Sequence, residues 1–217
     1  MNAMSDEASP QRPPPILRTR GPARQTVGVA ANITYGSGVA GDAELRLTGD
    51  VSGAKRAVEL GVSDWYNSIE FATAGAKAIA VDPDPDRIAE LRRRADDAEV
   101  TVQCLVADLA DLGDITSATV DVVVASQTIG EVDDLGRLLR QVHRVLKPSM
   151  PFVISMPHPF ASVDAEHSYG ATTRTIGDWF TALGRANFRV DQVKELGVGP
   201  TQRVPTTLVL RARKEGS

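Results

Sequence analysis

From about residue 54, short apolar runs alternate with stretches whose apolar residues recur every three to four positions, the mark of strands alternating with amphipathic helices. Lys55–Leu60 (KRAVEL), Lys77–Val81 (KAIAV), Val100–Val106 (VTVQCLV), Val120–Ala125 (VDVVVA) and Phe152–Met156 read as strands. Between them, Asn67–Ala76 reads as helical. Asp84 is placed to cap a second helix, with Pro85 at its first position. Ile88, Leu91 and Ala95 give that helix its apolar stripe, and Arg92, Arg93 and Arg94 sit near its C-terminus, where the helix dipole favours cations. Val132, Leu135, Leu138, Leu139, Val142, Val145 and Leu146 share one face of a third helix, which Pro148 stops. Thr175 and Asp178 have the spacing of a capping box, ahead of a stripe of Ile176, Trp179, Phe180 and Leu183.

Strands that alternate with helices need crossover connections and so imply a parallel sheet covered on both faces. The chain ends differently. Arg189–Leu196 and Thr206–Arg213 are strand-like with only a short connection between them, which forces an antiparallel hairpin. The expected fold is α/β: a doubly wound Rossmann-like sheet of about seven strands, mostly parallel with an antiparallel C-terminal strand. Residues 1–25, with Pro13-Pro14-Pro15 and scattered arginines, read as a disordered or extended arm, and residues 26–217 as one domain.

Composition narrows the possibilities. The chain has 217 residues, 24 basic against 28 acidic side chains and a net charge of -4, which argues against a nucleic-acid-coating protein. Its one cysteine, Cys104, excludes a disulfide framework and any multi-cysteine metal site, so no metal is expected. This usage fits a reducing, cytoplasmic setting. No apolar run is long enough to span a membrane, and the N-terminus lacks the apolar core of a secretory signal.

In an open parallel sheet, ligands bind beyond the carboxyl ends of the strands, where the strand order reverses. The segments that end there carry Glu59, Gly61 and Ser63 after the first strand, Asp82 after the second, Asp108 after the third, and Ser126 and Gln127 after the fourth. A carboxylate in the position of Asp82 can accept from both hydroxyls of a ribose. One in the position of Asp108 can accept from the exocyclic amine of a base. The turn after the first strand brings backbone N–H groups and a helix N-terminus near the same ligand. Together they describe an adenosine-containing ligand; singly, each aspartate also reads as a turn former or helix cap.

These residues lie in segments that resemble the class I S-adenosylmethionine-dependent methyltransferases, in a bacterial small-molecule branch. AVELGVSDWYNSIEFATAGAKAIAVDPDPDRIAELRRRA is similar to that family's first two motifs, VQCLVADLADL to its adenine-side segment, and VDVVVASQTIGEVDDLGRLLRQVHRVLKPSMPFVIS to its fourth strand, helix and fifth strand. The leader YGSGVAGDAELRLTGDVSGAKRAVELG and the closing VPTTLVLRARK also match, so the resemblance covers roughly residues 35 to 213. It implies S-adenosyl-L-methionine as cofactor and methyl transfer to a small-molecule acceptor, in a monomer or homodimer with no nucleic-acid or membrane partner. It implies that Glu59, Gly61 and Ser63 belong to the turn facing the methionine part, and that Asp82 holds the ribose. Asp108 and Leu109 would then flank the adenine, Ser126 and Gln127 would lie near the reacting methyl, and Tyr35 would cover the cofactor.

The family turn usually has glycine where this chain has Ser63 and Trp65. A side chain there is hindered if the backbone needs a positive φ. Trp65 either flanks the site or fills it, and the second case gives a degenerate cofactor-binding or scaffolding module without catalysis. A nicotinamide oxidoreductase is disfavoured, since the turn after the first strand lacks Gly-x-Gly-x-x-Gly and the closing hairpin is wrong for that fold. So is a nucleic-acid methylase, since no Asn/Asp-Pro-Pro-aromatic motif for holding a flipped base is present. Methyl transfer needs a general base only if the acceptor starts protonated. His158 and Glu131 are the candidates, each with a bland alternative as a turn former or helix cap. The irregular stretch Pro157–Arg174 reads as an acceptor-side loop, with Phe160 and Tyr169 as part of its wall.

Overall fold

The computed structural model describes residues 31–164 and 166–216. The arm expected at residues 1–25 lies outside them. Seven strands form one sheet: β1 (Arg56–Leu60), β2 (Lys77–Asp82), β3 (Val102–Val106), β4 (Val122–Ser126), β5 (Pro151–Pro157), β6 (Phe188–Leu196) and β7 (Thr207–Lys214). Their order is β3-β2-β1-β4-β5-β7-β6. β3, β2, β1, β4 and β5 are parallel, while β7 runs antiparallel to both β5 and β6. The strand order therefore reverses between β1 and β4, the place where an open sheet leaves a crevice.

Side-chain alternation divides the core between the two faces. Val58, Leu60, Ile79, Val81, Val123, Ala125 and Ile154 pack with Leu138, Leu139 and Val142 of α4 (Leu135–Val145) and with Trp179 and Leu183 of α5 (Ile176–Arg185). On the opposite face Ala57, Ala78, Val122, Val124 and Val153 meet Phe71 of α2 (Asn67–Thr73) and the leader residues Ile33, Tyr35 and Leu47. Ala80 packs beside Ile88 and Leu91 of α3 (Pro85–Asp97). The leader contains one short helical turn, α1 (Asp42–Leu45).

The caps read from the sequence are present. Asp84 accepts from the Asp86 N–H with Pro85 at the first helical position. Thr175 and Asp178 form a reciprocal capping box at α5. The connection from β3 to β4 has no helix: residues 107–121 run as turns over the sheet and bury Leu112 and Ile115. Arg144 of α4 holds them by donating to the carbonyls of Leu112 (2.6 Å) and Ile115 (3.0 Å). Among the described residues, no helix is long and apolar enough to cross a membrane.

Candidate cofactor cleft and acceptor cavity

A cleft of about 330 Å³ opens over the carboxyl ends of β1, β2 and β4. Gly61, Ser63, Asp82, Leu109, Ser126 and Gln127 line it, together with Trp65, Arg87 and Thr128. That volume lies at the lower end of the roughly 300–1,000 Å³ typical of small-molecule sites.

Gly61 shows why the turn after β1 needs glycine at that point. Its φ is 77°, and a Cβ there would run into the Thr128 side chain. Thr128 is itself fixed, donating its hydroxyl to the Leu60 carbonyl at 2.6 Å. The two substitutions in the turn carry no such strain. Positive φ in this turn falls at Gly61 and at Tyr66 (φ 50°), not at Ser63 or Trp65. Trp65 is half-buried and forms a wall between the cleft and a shallow outer groove beside Tyr66 and Arg94, leaving the cleft open.

Asp82 ends β2 nearly buried, with each carboxylate oxygen accepting from one backbone N–H: Oδ2 from Val62 at 2.7 Å and Oδ1 from Asp84 at 2.9 Å. A carboxylate oxygen has two lone pairs, so both retain capacity toward a ligand in the cleft. Ser126 is buried, its hydroxyl accepting from Asn67 Nδ2 at 3.0 Å. Gln127 has φ 64° and donates its side-chain amide to the Tyr35 carbonyl at 3.0 Å. A non-glycine residue held in the left-handed region beside a cleft is a known accompaniment of functional sites.

Three of the residues read from the sequence lie off this cleft. Glu59 is buried behind the turn. Its Oε1 accepts from the Ser63 N–H (3.1 Å), the Ser63 hydroxyl (2.8 Å) and the Asn67 N–H (3.1 Å), while Oε2 accepts from the Ser68 N–H (2.8 Å). Burial pushes its carboxyl up despite these donors, which favour the charged form. Glu59 thus shapes the turn and the start of α2. Tyr35, which the resemblance places over the cofactor, instead turns its ring into the core and donates its hydroxyl to buried Asp42 at 2.7 Å. An apolar ring with a buried carboxylate to bond is more stable there than over an open cleft. Burial and the neighbouring Asp42 push its phenol well above the usual range. Asp108 is exposed in an adjoining cavity with Leu109, Glu131 and Arg137; its Oδ1 accepts from the Ala110 N–H at 2.7 Å.

A second cavity of about 200 Å³ adjoins the first, and Gln127 and Thr128 line both. Its other walls are Gly130, Glu131, Met156, Pro157, Thr172, Thr173, Arg174 and Trp179. Of the two candidate bases, Glu131 is on this wall. It does not cap α4, a position held by Asp134. His158 is fully buried with both ring nitrogens engaged: Nε2 lies 2.9 Å from Glu195 Oε1, and Nδ1 accepts from the Phe160 N–H at 3.2 Å. Phe160 and Tyr169 line neither cavity. They are 49% and 38% exposed and stack on each other at 4.7 Å, with His158 stacked on the other side of Phe160.

Sequence reasoning missed Asn67, Arg174 and Trp179 as site residues, and it placed Thr128 at the ligand end of the fourth strand without a role of its own. Asn67 joins three elements, accepting from the Thr34 N–H, donating to the Thr34 carbonyl and to Ser126. The polar run Thr172-Thr173-Arg174 ahead of an apolar helix was the available signal for the second cavity. Among the described residues, no group of three or more His, Cys, Asp or Glu is arranged to hold a metal ion.

A doubly wound sheet with an antiparallel last strand, a glycine turn and a strand-end carboxylate beside a reversal of strand order defines a nucleoside-cofactor domain. Comparison with known proteins points the same way. Residues 58–154 match the model of the methyltransferase domain. A Mycobacterium tuberculosis protein named as a probable S-adenosylmethionine-dependent methyltransferase is 34% identical over 105 residues, covering 48% of this chain and 36% of that protein. A ubiquinone biosynthesis O-methyltransferase of Azorhizobium caulinodans is 31% identical over 103 residues, covering 46% of this chain and 39% of its own length. The matches thus span little more than a third of these curated relatives. The solved S-adenosylmethionine-dependent methyltransferase from Mesorhizobium loti shares the fold, with a TM-score of 0.63 at 24% identity over 78% of this chain and 95% of that one. Residues 58–154 thus match a methyltransferase domain, and the sequence and fold likenesses support a class I S-adenosylmethionine-dependent methyltransferase that uses S-adenosyl-L-methionine.

Proposed function

We propose that the protein binds S-adenosyl-L-methionine in the cleft over β1, β2 and β4 and transfers its methyl group by in-line displacement to a small-molecule acceptor in the adjoining cavity. The observation that carries this reading is Asp82, which lines the open cleft with lone pairs to spare on both oxygens. Gly61 supports it, since its missing Cβ keeps the turn clear of Thr128. In this reading Asp82 accepts from the ribose hydroxyls. Leu109 packs on the adenine, and Asp108, with Oδ2 not engaged by the protein, accepts from its amine. Ser63, Ser126 and Gln127 line the methionine end. Glu59 and Tyr35 act from behind, by holding the turn and the leader.

The cofactor supplies a methyl group on a sulfonium, a neutral leaving group. The protein's task is therefore to position the partners, which can contribute much of the acceleration. Gln127 and Thr128, shared by the two cavities, mark where they join. Glu131 is the group that can take a proton from the acceptor, because it stands on the acceptor wall, whereas His158 spends both nitrogens on Glu195 and Phe160. The acceptor cavity of about 200 Å³ favours a small substrate. A screen of small acceptors that reads release of S-adenosylhomocysteine tests the proposal. Turnover by the wild type and its loss in Gly61→Ala are expected. Cofactor binding without transfer to any acceptor class would favour the non-catalytic module.

A further inference from the structure

Arg174 stands on the wall of the second cavity. It is half-buried, and its guanidinium donates to the carbonyls of Gly130 and of Val132 (2.6 Å for the latter). Among the described residues, no carboxylate lies within ion-pair distance of it. Asp178 on the neighbouring helix is taken up by Thr175, whose N–H and hydroxyl both donate to it. Two carbonyls engage only part of a five-donor group, and Asp178 reaches its charge only at longer range, without a direct bond. A partly desolvated cation without a directly bonded counter-ion is poised to gain one. Next to it on the same wall, the Thr173 hydroxyl is buried without any hydrogen-bond partner. Met156 and Trp179 form apolar parts of the same lining, with Arg174 lying 6.0 Å from the centre of the Trp179 ring.

We infer that the acceptor is a small carboxylic acid with a compact apolar body, its carboxylate held by Arg174 and Thr173. The inference rests on the methyltransferase reading for the word acceptor, but the site itself is defined by these residues alone. The guanidinium N–H groups not used by Gly130 and Val132 can meet a planar carboxylate, and rotation of the Thr173 side chain would give its unpartnered hydroxyl a bond to the same group. A phosphate dianion fits less well: the cavity is small, it offers one cationic side chain, and Glu131 on the same wall repels added negative charge. The body of the acid lies against Met156 and Trp179, which leaves its nucleophilic atom toward Gln127 and Thr128, where the two cavities join.

The test titrates sodium butyrate and sodium benzoate against butyramide, benzamide and inorganic phosphate. Trp179 fluorescence is followed in a Trp65→Phe background, which leaves Trp179 as the sole tryptophan. Each titration is run with and without S-adenosylhomocysteine. The acids are expected to saturate at millimolar concentration and the amides to bind about tenfold to a hundredfold more weakly, the scale of a charged hydrogen bond. Thr173→Val is expected to weaken the acids by about fivefold with no loss of melting temperature, since it removes an unpartnered hydroxyl. Arg174→Gln is expected to abolish the preference for acids. That variant also releases Gly130 and Val132, so the acid–amide comparison in the Trp65→Phe protein and the Thr173→Val result stand independently of it. Equal binding of acid and amide, no binding of the acids, an unaffected Thr173→Val variant, or tighter binding of inorganic phosphate would each overturn the inference. Failure of S-adenosylhomocysteine to bind the wild-type protein in calorimetry, with the acid preference intact, would instead count against the methyltransferase reading.

Discussion

Gly61 and Asp82 carry the cleft at the scale of single residues. Gly61→Ala sets a side chain at positive φ against Thr128, and the two effects together are worth about 2 to 4 kcal/mol. The melting temperature is expected to fall by roughly 5 to 15 °C, and cofactor binding should be lost with the turn. A variant that melts like the wild type would show that Thr128 yields easily. Asp82 has two duties, because it also satisfies the Val62 and Asp84 N–H groups. Asp82→Ala is therefore expected to lower stability by about 1 to 3 kcal/mol, the scale of an unsatisfied buried donor, in addition to weakening the cofactor. Denaturant unfolding reads this directly, and an unchanged midpoint would mean that water replaces the carboxylate at both N–H groups. Residues at strand ends were legible from the sequence, because a strand's position fixes where its last residue lies. The directions of Tyr35 and Glu59 were not. Both turn toward partners brought from elsewhere in the fold, Asp42 for one and the start of α2 for the other.

At the scale of elements, apolar periodicity identified all seven strands and the long helices to within a few residues. Their caps were legible because Asp84–Pro85 and Thr175–Asp178 act within one turn of chain. The acceptor side was less so. Thr172–Arg174 has no periodicity, and its place on the cavity wall follows from packing against the loop after β4. The edge hairpin supplies a pH prediction. Asp191 sits at an irregularity in the β6–β7 register, where a bulge re-aims the side chain. There it meets Arg211 (2.7 Å) and Arg213 (2.6 Å). Burial alone would raise its carboxyl, but the bonds from the two arginines outweigh burial and hold it below the usual carboxylate range. A depressed carboxyl stabilises the fold above its unfolded pKa and loses that contribution as pH falls through the folded one. Asp191→Asn should thus lower stability by about 1 to 2 kcal/mol at neutral pH. The gap from wild type should close as the solution is acidified below the ordinary aspartate value of 3.8. Melting curves over pH check this, and a gap that stays constant into acid would remove the ion-pair explanation. In the acceptor loop, the exposure of Phe160 and Tyr169 argues against a core role. Since neither ring lines a cavity, replacing both by Ala is expected to leave acceptor KM within a factor of a few and to move the melting temperature by only a few degrees. A loss of several kcal/mol, the scale of a large-to-small core change, would show that the stack holds the sheet edge instead.

For the whole molecule, the account makes the reversal of strand order between β1 and β4 a cofactor cleft, with the glycine-poor turn after β1 compatible with binding. The sequence alone left two outcomes for Trp65, because a side chain's direction depends on the backbone angles of its turn. Ser63 and Trp65 avoid positive φ, and the cleft stays open beside Trp65. The most direct measurement is calorimetric titration of S-adenosyl-L-methionine into the wild-type protein and into Asp82→Ala. The account predicts saturable binding at one site per chain, weakened in the variant by about 2 to 3 kcal/mol, the scale of lost hydrogen bonds to a charged group. No binding to a folded wild-type protein, or equal affinity in the two, would contradict it.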